Sequence, residues 1–122
     1  MSKLPMIARL LLGLIFFVFG LNGFLNFLPA PPMPEAAGAF AGALAATGYM
    51  FPLIKGIEVL VGLLLLSNKF VPLALLLLAP ITVNIVLFHA VLAPAGLVLP
   101  IIIVLLHVYL ASTHKAVYKP LF

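Results

Sequence analysis

Four apolar stretches, at about 6–28, 50–66, 70–92 and 94–111, dominate the chain. A helix needs about 20 mainly apolar residues to cross a bilayer, and each stretch approaches that length. Pro52, Pro72 and Pro94 fall where a first helical turn tolerates a missing N–H. Ser67 or Asn68 can cap the third span. Pro80 and Pro100 lie inside the third and fourth stretches and predict bends there. Between the first two spans, Pro29 to Pro34 reads as extended, polyproline-like chain. Glu35 to Thr47 then reads as a short helix at the membrane interface, ended by Gly48. The expected fold is all-α: an integral membrane four-helix bundle with a short interfacial helix between spans 1 and 2. Residues 1–122 form one domain on this reading.

Composition agrees with the pattern. Of 122 residues, 66% are hydrophobic and 7% charged, against about 25% charged in a soluble domain. So few charges cannot solvate a water-facing surface. The net charge of +4 forms no basic stripe, so no nucleic-acid partner is expected. Lys3, Lys69, Lys115 and Lys119 sit at span ends, whereas the first loop carries Glu35 and no cation. The positive-inside rule then predicts a multi-pass protein of the cytoplasmic (inner) membrane with both termini in the cytoplasm. The first apolar run is too long for the core of a signal peptide. The absence of cysteine excludes disulfides, thiol relays and Cys-ligated metal clusters.

A few polar residues interrupt the spans, and such residues normally face protein or a cavity. Lys55, Glu58 and Gly62 share one helical face, and the first two can pair at i,i+3. Burial and Lys55 pull the ionisation of Glu58 in opposite directions. Asn22 and Asn26 share a face of the first span, as do Arg9, Gly13, Phe16 and Gly20 on another. Gly13 and Gly20 let a neighbouring helix approach closely. Arg9, near the cytoplasmic end, is placed to snorkel toward lipid phosphate. Asn84 follows Pro80 by one turn, on the same side, with Thr82 and His89 on a different face. Asn22, Glu58 and Asn84 fall at similar depth, roughly 9–12 Å from the outer ends of their spans. These residues, with Asn26, Lys55 and His89, make up a candidate ligand pocket in the outer half. His107 lies toward the other side, roughly 15–20 Å from His89 in depth. One metal or haem iron cannot be shared between those two, so no metal site is expected.

The order of features resembles the DoxX-like family of small four-span membrane proteins. The resemblance rests on the Arg9–Phe16 run, Gly20–Leu25, Glu58–Leu65, and Ala79-Pro80-Ile81 through Asn84 to His89, and extends from about Ile7 to Phe122. It implies a helical bundle in the cytoplasmic membrane. The family takes its name from a subunit associated with a terminal quinol oxidase or thiosulfate:quinone oxidoreductase, and other members are linked to membrane redox complexes. Family members often carry Lys or another polar residue where this chain has Gly23, so a site built on that residue does not carry over.

No catalytic motif such as GxSxG, a Walker loop or HExxH occurs, and the reading leans away from an enzyme. The first functional expectation is a non-enzymatic module that binds a small molecule, lipid or quinone in the polar pocket, or serves as an accessory subunit. The alternatives are a component of a quinone-linked oxidoreductase complex and a small proton-coupled transporter. No cofactor is required; a quinone or lipid is the candidate occupant. Membrane lipids are the expected partners, with a homodimer or a membrane redox partner as further candidates.

Overall fold

The computed structural model describes residues 3–27 and 33–122. Leu28 and most of the proline-rich run lie outside them. The described residues form six α-helices in order: α1 Lys3–Leu25, α2 Glu35–Ala46, α3 Met50–Ser67, α4 Val71–Leu87, α5 Val98–Ser112 and α6 Lys115–Tyr118. A π-helical turn, Phe88–Leu92, extends α4, and 3-10 turns occupy Pro94–Gly96 and Lys119–Leu121. The protein is an all-α membrane helical bundle.

α1 and α3 run antiparallel in close register. A Cβ at Gly13 would lie 3.0 Å from that of Leu65, and one at Gly62 would lie 2.7 Å from Cα of Phe17. Small residues let the backbones approach, and in lipid such packing replaces the hydrophobic drive that joins helices in water. α4 and α5 complete the arrangement, with α5 returning against α1. Phe16, Leu12, Leu65, Leu75, Leu78 and Leu110 are fully buried between them. Leu12 comes from the first half of α1 and Phe16 from near its middle; the others come from the last half of α3, the first half of α4 and the last half of α5. Most of the core therefore sits toward one end of the bundle, although Pro100 is buried at the other.

That end also gathers the cations. It holds Lys3, the α3–α4 loop with Lys69, and the tail with Lys115 and Lys119. Arg9 is directed inward. It donates to the carbonyls of Leu65 at 2.5 Å and Leu66 at 3.4 Å. These carbonyls end α3 and lack ordinary helical partners, so Arg9 caps α3 and its charge complements the helix dipole. Asn68, expected as a cap for the following span, instead closes α3. It adopts φ 58°, while N–H of Lys69 bonds to O of Leu64 at 3.0 Å and N–H of Asn68 to O of Leu65 at 3.3 Å. This is the paired bonding of a Schellman motif.

Among the described residues, three helical stretches are long and apolar enough to cross a membrane: α1, α3, and α4 with its π-turn. α5 is shorter than the expected fourth span, at about 22 Å for 15 residues. It reaches spanning length only with the tail, across a 78° bend. Pro100 does not bend α5, contrary to expectation. The helix starts at Val98, so Pro100 lies in its first turn, where no N–H bond is lost. Pro80 lies within α4 without ending it.

Candidate functional site

At the end opposite the cations, the bundle opens. A cavity of about 420 Å³ lies between α2, α3 and α4 with its π-turn. Its size falls in the range of small-ligand sites. Phe40 and Leu44 of α2, Phe51 of α3 and Phe88 of the π-turn supply apolar walls. Phe40 and Phe88 meet with ring centroids 5.6 Å apart, which joins α2 to the end of α4.

Four of the six expected pocket residues line this cavity: Lys55, Glu58, Asn84 and His89. On the α3 wall, Nζ of Lys55 lies 3.3 Å from Oε1 of Glu58. Glu58 is 4% exposed, so its partner is what makes a mid-span carboxylate tolerable. Lys55 also passes over the ring of Phe51, 5.6 Å from its centroid. Its aliphatic stem lies across Gly23, where a Cβ would overlap Lys55 Cγ and Cδ. The place where the family resemblance suggests a polar side chain is thus covered by a lysine arriving from α3. Gly20 has the same effect one turn away: its missing Cβ admits Val59 and the Cβ of Glu58.

The facing wall is polar in a different way. Asn84 is exposed, and its side-chain amide makes no hydrogen bond among the described residues. It neither repairs the backbone near Pro80 nor joins Glu58. Nδ1 of His89 lies 2.8 Å from O of Ile85. A carbonyl only accepts, so Nδ1 carries a proton and donates, and Nε2 is left without a partner among the described residues. The 3-10 turn holds the ring from behind: a Cβ on Gly96 would lie 3.0 Å from its Cδ2. Residue-by-residue rotation of 100° places His89 and Asn84 on different faces. The chain widens into a π-turn from Phe88, so that arithmetic does not carry past this residue, and both line one cavity. Such turns frequently occur at functional sites, and no residue pattern announced this one.

Asn22 and Asn26 do not line the cavity. Asn26 lies beyond α1, exposed, at φ 53°, with its N–H bonded to O of Asn22 at 2.8 Å. It ends the helix, so it does not continue the face of Asn22. Asn22 is half-buried within α1 and is not without a partner. Among the described residues, no three His, Asp or Glu side chains converge on a possible metal position.

A family model described as DoxX matches residues 4–91. This chain belongs to the DoxX family. The match covers α1 to the π-turn and therefore all of the cavity residues; it ends ahead of α5, short of the Phe122 limit suggested by the sequence. No curated protein and no solved structure matches the chain.

Proposed function

We propose that this DoxX-family protein is a binding or accessory module that seats an amphiphilic ring compound of the quinone class in the cavity. The observation that carries this reading is the division of polar groups between two walls within an aromatic and aliphatic lining. Lys55 and Glu58 stand on one wall, and the unbonded Asn84 amide and His89 Nε2 on the other. A flat ring with oxygens on opposite edges can meet donors on both sides, from Lys55 Nζ and the Asn84 amide. Its apolar faces can pack on Phe40, Phe51 and Phe88. An unbonded amide at mid-span is costly in lipid, and a ligand oxygen would satisfy it.

The test uses delipidated protein in nanodiscs and calorimetric titration with a short-chain benzoquinone. Asn84→Leu should weaken binding about tenfold, corresponding to about 1.4 kcal/mol for one lost polar contact. Lys55→Met alone leaves Glu58 buried without its partner and should disrupt the fold. The Lys55→Met/Glu58→Leu pair removes both charges and should insert normally while losing the ligand. Unchanged binding in Asn84→Leu and in the double variant refutes the site.

We also place the cation-rich end in the cytoplasm of an inner-membrane protein, on the positive-inside rule. This reading makes α5, entered through the Pro94–Gly96 turn, the fourth crossing and lays the tail, bent from it by 78°, along the cytoplasmic surface. A C-terminal reporter should then be active only in its cytoplasmic form; the opposite result reverses the orientation.

A further inference from the structure

A second concavity lies at the cation-rich end, separate from the cavity above. It measures about 830 Å³ and runs between α4, α5 and the tail, over Leu75, Leu76, Ala79, Val108 and Ala111. A smaller hollow of about 350 Å³ continues it along the α4–α5 seam to Val83 and Leu87. The two share Ala79, His107 and Val108. Along α4, from Leu75 to Leu87, the seam is about 18 Å long. One leaflet of hydrocarbon is about 15 Å, half of a roughly 30 Å core. The groove therefore has the reach of a single acyl chain.

Its chemistry is sorted along its length. His107 sits at the floor, but both ring nitrogens are engaged, with Thr82 Oγ1 at 2.9 Å and Leu75 O at 3.0 Å. The seam thus offers no free polar group from His107. At the tail end, Lys115 and Lys119 line the groove, both are exposed, and among the described residues no Asp or Glu side chain lines it. Tyr118 between them donates to O of Pro72 at 2.6 Å and pins the tail to the start of α4. Burial raises the pKa of this phenol, so it remains a donor at neutral pH. A pinned segment with two cations beside an apolar slot complements a negatively charged head joined to a long apolar chain.

We propose that this groove binds one anionic phospholipid, with an acyl chain along the α4–α5 seam and its phosphate between Lys115 and Lys119. The proposal is independent of the quinone reading. The test is native mass spectrometry of the full chain after delipidation and exposure to equimolar phosphatidylglycerol and phosphatidylcholine with identical acyl chains. One phosphatidylglycerol should be retained at least fivefold over phosphatidylcholine. Lys115→Gln/Lys119→Gln, at exposed positions, should keep the wild-type melting temperature and lose the preference. Excess glycerol phosphate should not displace the lipid, because it lacks the chain. Equal retention of the two lipids, a preference surviving the double substitution, or displacement by glycerol phosphate would each overturn the proposal. So would a lipid-free dimer in which a second copy fills the groove.

Discussion

Gly62 and Gly56 lie two turns apart or less in the same helix, yet their replacement by alanine should have opposite effects. A Cβ at Gly62 would lie 2.6 Å from N and 2.7 Å from Cα of Phe17. Carbon contacts are favourable at about 3.5–4.0 Å, so α1 and α3 must part by about 1 Å. Backbone atoms cannot turn aside as a flexible side chain can. Overpacking of this kind costs about 1–3 kcal/mol. Alanine's helix propensity returns about 1 kcal/mol, leaving Gly62→Ala about 0–2 kcal/mol less stable than wild type. At Gly56 nothing lies within 4 Å of the added carbon, so only the propensity gain of about 1 kcal/mol remains. Equilibrium unfolding of both variants in mixed micelles, titrated with denaturing detergent, should separate them by about 1–3 kcal/mol, the overpacking cost. Coincident curves would refute the close α1–α3 crossing and the glycine-dependent placement of Glu58 and Lys55 built on it.

Arg9→Met should lower stability by about 1.5–3 kcal/mol, the range for hydrogen bonds from charged groups; detergent melting of wild type and Arg9→Met checks this, and identical melting would mean that the Arg9 cap on α3 contributes nothing. His107→Leu should cost about 1–2 kcal/mol by leaving O of Leu75 without its α5 donor, read in the same melts; no change would mean that the α4–α5 tie contributes nothing. Tyr118→Phe should release the tail and speed tryptic cleavage after Lys115 about fivefold, equivalent to about 1 kcal/mol for one hydrogen bond. The raised pKa of Tyr118 means that its proton favours the docked tail: protection is complete below the ordinary phenol value of about 10 and is lost as pH rises through the higher folded value. A protease stable at high pH should show that loss in wild type and not in Tyr118→Phe.

Length and hydropathy alone placed the long helices because the bilayer imposes both. The Lys55–Glu58 pair was legible because i,i+3 spacing is a property of any α-helix. The close approach of Gly13 and Gly20 was legible for the same reason. The remaining details turn on where regular helix stops. Placing Asn26 beside Asn22 assumed a helix running to Leu28, whereas α1 stops at Leu25 and asparagine accepts the left-handed conformation that follows. The expected bend at Pro100 assumed a helix beginning at Pro94. A start at Val98 moves the same proline from the interior to the first turn. Arg9 was read as snorkelling because an isolated span has no acceptor for it. The acceptors belong to α3 and exist only once the two helices have packed.

The polar side chains of the spans divide by whether their hydrogen-bonding capacity is used within the fold. Arg9, Thr82 and His107 are committed to carbonyls or to one another, and all three reinforce the closed, core-bearing part of the bundle. Such bonds are favourable in lipid because their loss exposes polar groups to hydrocarbon. At the other end, Lys55 and Glu58 satisfy each other while bordering a cavity, Asn84 has an unused amide, and His89 spends one nitrogen and keeps the other. Packing alone gives no reason to place all four around one space. If they only joined helices, apolar residues of similar volume could replace the ion pair with little loss of stability, and Asn84 would bond to a neighbouring helix. The difference between committed and uncommitted polar groups, rather than their number, is the physical ground for proposing the cavity of Lys55, Glu58, Asn84 and His89 as a polar ligand site.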